Sequence, residues 1–109
     1  MTQLIENVKM FLKSADLVFQ EKDYTSATLL YFKAVFVALD VMILQKEKIT
    51  PKDHTERFRL LERHHHGEYL LLDKYYIIYR STYTTTIDEK TCKEIQKYVK
   101  QTINKNLGI

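Results

Sequence analysis

The strongest constraint on this chain is a shortage: among 109 residues there are only two glycines and one proline. Hairpins and tight turns need residues that reach positive φ or preset a turn, and almost none are present. Long helices joined by short connections are the natural consequence. Leu4, Val8, Phe11, Ala15 and Val18 recur at spacings of 4, 3, 4 and 3, which draws one apolar stripe on a helix from about Gln3 to Glu21, with Thr2 placed to cap it. After the polar break Lys22-Asp23, a second helix runs from about Tyr24 to Lys46. It is apolar nearly all round, as expected of the most enclosed helix, and Ala27, Ala34, Ala38 and Val41 give it a small-residue side for close approach.

Thr50-Pro51 ends that region, because a residue before proline is pushed out of the α conformation. Proline suits the first turn of a new helix, so the third spans about Asp53 to Arg63, with Phe58 and Leu61 as its main apolar contacts and Leu60 beside them. Gly67 punctuates. A fourth helix follows from about Glu68 to Tyr83, with Leu72, Tyr76, Tyr79 and Tyr83 as its stripe and Leu71, Tyr75 and Ile78 widening it. Thr84 to Ile87 are poor for helix continuation, and Asp88 caps a fifth helix that turns Cys92, Ile95, Val99 and Ile103 inward and ends near Asn106 and Gly108. The expectation is a single all-α domain over residues 1–109, an up-and-down bundle of about five helices with consecutive helices mostly antiparallel. Leu30, Ala34, Val37, Leu72, Tyr76, Ile95 and Val99 are its expected core. No sequence unit repeats at a tetratricopeptide-like period.

The single cysteine, Cys92, excludes an intrachain disulfide and a thiolate zinc cluster, in keeping with a reducing cytoplasm. The opening residues lack a basic segment followed by an apolar core, so no signal peptide is read there. Ala27 to Leu44 is the most membrane-like stretch, but Lys33 and Asp40 interrupt it and would be costly at mid-bilayer, so a central buried helix is the better account. The net charge of +3 permits an anionic partner without demanding one.

Four places carry candidate chemistry. His64, His65 and His66 are adjacent, and neighbours on a helix point about 100° apart, so they do not converge on one ion. A solvated turn beside Gly67 is the reading, with no metal site, and His54 at a helix start reads as structural. Lys33 and Asp40, seven residues apart on one face of the second helix, are either its solvated side or the wall of a polar pocket. Lys90, Lys93, Lys97 and Lys100 form a narrow basic stripe that fits a solvated helix face and also a phosphate backbone. Arg80 follows the apolar run LLLDKYYIIY, with Asp73 on the same face and Tyr76 and Tyr83 flanking it. Its fork of donors suits either a phosphate or the carboxylate of Asp73.

SADLVFQEKDYTSATLLYFKAVFVAL, PKDHTERFRLL and YYIIYRSTY follow one another in an order that resembles the HEPN domains (higher eukaryotes and prokaryotes nucleotide-binding) over roughly Ser14 to Ile103. The resemblance implies a helical bundle that dimerises and, in active members, cleaves RNA without metal through an arginine followed four to six residues later by histidine. Arg80 matches that arginine. Thr85, Thr86 and Ile87 stand where the histidine belongs, and none of them serves as an acid or base near neutral pH. AVFVALD also departs from the family, in which many members carry charged residues at the positions of Phe36 and Val37.

The expectation is therefore a non-catalytic, homodimeric interaction domain without cofactor. It binds a nucleotide, RNA or a nucleotidyltransferase partner near Arg80, with Asp73, Tyr76, Tyr83, Lys33 and Asp40 as further ligand-binding candidates. The alternatives left open are a ribonuclease in which the His64–His66 cluster folds close to Arg80, and a protein-binding scaffold.

Overall fold

The computed structural model describes residues 1–109 as five helices and no strand: α1 Thr2–Gln20, α2 Tyr24–Glu47, α3 His54–His64, α4 His66–Ser81 and α5 Glu89–Leu107. The all-α expectation is met. Local chemistry sets most of the helix ends. Asp23, Asp53 and Asp88 each accept a hydrogen bond from the amide three residues on, at Ser26, Glu56 and Thr91. Lys48, at φ 61°, and Gly108, at φ 71°, close α2 and α5 in the left-handed conformation. Gly67, expected as a break, lies inside α4, where His65 alone separates α3 from α4, and Asp53, expected as the first residue of α3, is its N-cap. Two further expected boundaries differ. Thr2 lies inside α1, whose N-cap is Met1 without a side-chain bond, and α4 stops at Ser81, leaving Tyr83 in the turn beyond it.

α2 is the axis of the bundle. Tyr31, Phe32, Val35, Leu39 and Ile43 are fully enclosed along it, and Val8 and Ala15 of α1 and Ile95, Val99 and Ile103 of α5 close over them. Polar contacts fix the directions. Asp16 of α1 accepts from the Tyr31 hydroxyl of α2 and pairs with Lys100 of α5 at 2.9 Å, while Gln96 of α5 donates to Tyr31 at 2.7 Å. These contacts, with Thr25 accepting from the Ile87 amide at 2.8 Å, set α1 antiparallel and α5 parallel to α2. α2 alone is long and apolar enough to cross a membrane, with a mean hydropathy of 2.0 over its best window, and 67% of that window is buried by its neighbours.

α3 and α4 form a hairpin on another side of α2. Phe32 and Phe36 meet Tyr79 and Tyr76 in antiparallel order. α3 departs from the expected alternation. His54 lies against Phe36, Arg57 against Asp40 and His65 against Glu47, so α3 runs parallel to the second half of α2. The segment between Lys48 and Asp53 makes this possible by running back along α2, with Pro51 buried beneath it. Of the expected core, Ala34, Leu72, Ile95 and Val99 are buried, whereas Leu30, Val37 and Tyr76 are half-buried.

Candidate functional site

The polar centre of the molecule lies where α2, α3 and α4 meet. Arg57 donates from Nε to Asp40 Oδ1 at 2.7 Å and from Nη2 to Oδ2 at 2.9 Å, a two-pronged pair with side chains only 10% and 14% exposed. The remaining arm, Nη1, donates to His54 Nδ1 at 2.6 Å. Because a guanidinium only donates, Nδ1 is the accepting nitrogen and the His54 proton sits on Nε2. The guanidinium also lies 4.9 Å from the centre of the Phe36 ring.

Aromatic rings enclose this group. His54 is 4.8 Å from Phe36, 5.8 Å from Tyr76 and 5.7 Å from Tyr79, measured between ring centres. Burial, and then the nearby Arg57 charge, hold the His54 pKa below the ordinary value of 6.5. Tyr79, whose hydroxyl is 3.0 Å from that of Tyr83, is pushed up to about 12, chiefly by burial. Tyr83 itself is 65% exposed, so the cluster grades from a closed interior to an open rim.

Arg80 stands on that rim. It is exposed and makes no hydrogen bond or ion pair with any side chain of its own fold. Asp73 is also exposed and unpaired, so it does not hold Arg80 in place. Asp73 instead borders a shallow groove between α3 and α4 with Arg59, Glu62, Tyr69 and Tyr76. The positive charge of Arg80 reaches Tyr76, where it favours the phenolate against the larger, opposing effect of burial.

The other candidates separate. Asp40 turns inward to Arg57, while Lys33 stays exposed and borders a shallow hollow with Phe11, Phe36 and Val37. The shared face of Lys33 and Asp40 is thus divided between core and solvent. Along α5, Lys93 pairs with Glu89 at 3.0 Å and Lys100 with Asp16, leaving Lys90 and Lys97 as the unpaired members of the stripe. Lys97 faces a groove of about 510 Å³ between α4 and α5 in which Glu68 and Glu94 offset Lys97 and Lys105. Neither feature presents one sign of charge.

The histidine run is not uniformly solvated. His64 and His66 are exposed, but His65 bridges α3 and α4 and bonds Glu47 at 2.6 Å. The run also stays away from Arg80. Fourteen residues of α4 separate His66 from Arg80, about 21 Å at 1.5 Å per residue. The histidine that folding brings to the tyrosine cluster is His54. Sequence reading missed His54, Arg57 and Tyr79 as site residues, although Asp40 gave a signal: a carboxylate in an apolar helix requires a cation from elsewhere.

No group of three or more histidine, cysteine or carboxylate side chains is arranged to hold a metal ion. Compared with family models, curated proteins and solved structures, the chain finds no match.

Proposed function

We infer that this chain is a non-catalytic, HEPN-like, dimeric interaction module that binds a phosphorylated ribonucleotide, free or within RNA, at the Arg80 rim. The observation that carries the reading is the unpaired Arg80 guanidinium beside Tyr76 and the open Tyr83 ring. A guanidinium with five free donors fits phosphate, and an exposed tyrosine offers a stacking surface for a base. Arg57 cannot take this part, because Asp40 and His54 already occupy its fork.

The neighbouring groups support the non-catalytic reading. Thr85 and Thr86 are exposed hydroxyls, and Ile87 is a buried hydrocarbon whose amide is held by Thr25. His54 has its accepting nitrogen filled by Arg57 and a proton on the other, so it is arranged to donate a hydrogen bond and not to remove a proton. Arg80 alone supplies electrostatic stabilisation without proton transfer.

The test is fluorescence anisotropy with labelled single-stranded RNA, competition by adenosine monophosphate, and a parallel gel for RNA integrity. The expected outcome is salt-sensitive binding to intact RNA, weakened about tenfold or more by Arg80→Ala. Competition by the mononucleotide marks the monophosphate as sufficient, and its failure marks the polymer as required. Binding indifferent to Arg80→Ala, or RNA cleavage that Arg80→Ala abolishes, would contradict the reading.

A further inference from the structure

Beside the Arg80 rim, the groove between α3 and α4 holds three charged side chains that the fold leaves unused. Arg59 and Glu62 border it from α3 and Asp73 from α4; all three are exposed, and none enters an ion pair. Arg59 and Glu62 are three residues apart and so sit side by side on one helix face. The walls are aromatic: the Phe58 ring stands perpendicular to those of Tyr69 and Tyr76, at 6.2 and 4.9 Å between centres. The Glu62 charge first, then burial and the Asp73 charge, raise the Tyr69 pKa above the ordinary phenol value, so both carboxylates lie near one ring.

Two acids do not suit a phosphate, because like charges repel. Together with an arginine they suit the edge of a base. Guanine alone among the four bases of RNA presents two adjacent donors, N1–H and the N2 amine, next to two adjacent acceptors, O6 and N7. Carboxylates accept from such donors, and a guanidinium fork donates to such acceptors. Adenine and cytosine each set a ring-nitrogen acceptor beside their amine, and uracil sets N3–H between two carbonyls. A carboxylate facing any of these three edges meets another acceptor.

We propose that this groove receives the base of the ribonucleotide held at Arg80 and selects guanine, with Glu62 and Asp73 accepting from N1–H and the N2 amine and Arg59 donating to O6 and N7. The proposal rests on the nucleotide reading of the Arg80 rim and names the base that is read there. Tyr76 joins the two places, since it lines the groove and feels the Arg80 charge. Asp73 and Arg80 lie seven residues apart on one face of α4, about 10 Å at 1.5 Å per residue, a span that one nucleotide covers from phosphate to base edge. The groove between α4 and α5 also holds acids and lysines but lacks this complementarity. There Glu68 is tied to Lys105 at 3.2 Å, Tyr75 and Tyr98 stack on each other at 4.7 Å, and no arginine lines the walls.

The test uses the full chain and labelled single-stranded RNAs that differ only in one central base among uridines: guanine, adenine, cytosine, uracil or hypoxanthine. Fluorescence anisotropy at fixed salt reads their affinities. The guanine RNA is expected to bind about tenfold tighter than the uracil RNA, the discrimination of one well-paired base contact. Hypoxanthine keeps N1–H, O6 and N7 but lacks the N2 amine, and is expected to lose most of that preference. Glu62→Gln combined with Asp73→Asn is expected to bring the guanine-to-uracil ratio to about one, because each amide sets a donor where a carboxylate oxygen accepts. Arg80→Ala is expected to weaken all the RNAs by the same factor, since a phosphate contact carries no base information. Equal binding of all the RNAs, a preference for another base, or a guanine preference that survives the double variant overturns this inference and leaves the nucleotide reading standing. Failure of every RNA to bind overturns both.

Discussion

The two sides of α2 are held by different physics. On one side α1 and α5 close over it with enclosed aliphatic residues, and the polar node at Asp16 lies at the edge, 40% exposed and paired with the equally open Lys100. On the other side α4 buries only Leu72 and Tyr79, and the Asp40–Arg57–His54 group lies inside the contact. The first side thus carries only a part-solvated ion pair at its edge, whereas the second encloses a nearly closed one within an aromatic contact.

The largest expected effect follows from this contrast. Asp40→Ala strands the Arg57 guanidinium among aromatic rings and is expected to cost about 3–5 kcal/mol in urea unfolding. Asp16→Ala removes a partly solvated acceptor and is expected to cost only about 1 kcal/mol. Equal costs would erase the distinction between the two sides.

A smaller effect separates them by pH. The folded-state pKa of His54 lies below 6.5, so the unfolded chain takes up the proton first as the pH falls. Stability from neutral His54 is complete above about pH 6.5, the unfolded imidazole value, and is lost as the pH falls through the folded value. His54→Gln keeps an acceptor for Arg57 and is expected to flatten this acid-side loss in thermal melts. The carboxyl of Asp16 behaves differently: burial raises its pKa, but bonds from Tyr31, Lys100 and Gln96 outweigh it and hold the net value low. Its contribution, like those of the capping Asp23 and Asp88, is present above about pH 4 and lost below it. A His54→Gln profile identical to wild type between pH 5 and 7 would remove His54 from this account.

The smallest effect is expected on the solvated stripe. Lys93→Ala breaks an exposed pair with Glu89 and is expected to leave the urea unfolding midpoint unchanged.

How much was legible in the sequence follows the same division. Five helices, the enclosed α2 and the inward Ile95 and Val99 could be read because apolar periodicity reports burial locally. The capping aspartate of α5 could be read for the same reason, since a cap is a contact over three residues, whereas Asp53 reads as the first residue of α3 and is instead its cap. The parallel course of α3 could not, because it depends on the Lys48–Asp53 segment running back along α2 and on Arg57 finding Asp40 seventeen residues away. Asp40 was visible as an unexplained charge, but several arginines of α3 could have met it. Arg80 was visible as the end of an apolar run, and its separation from Asp73 by two turns of α4 was legible too; that no other element pairs with it is a matter of tertiary geometry.

The most direct measurement for the central claim is an amide chemical-shift map of the isotope-labelled protein titrated with adenosine monophosphate and with short single-stranded RNA. Shifts are expected to concentrate at Arg80–Tyr83 and at the facing His54–Arg57 turn, and to leave the α5 stripe unchanged. If the largest shifts instead follow Lys90, Lys93, Lys97 and Lys100, the Arg80 rim is not the binding site and the account is contradicted.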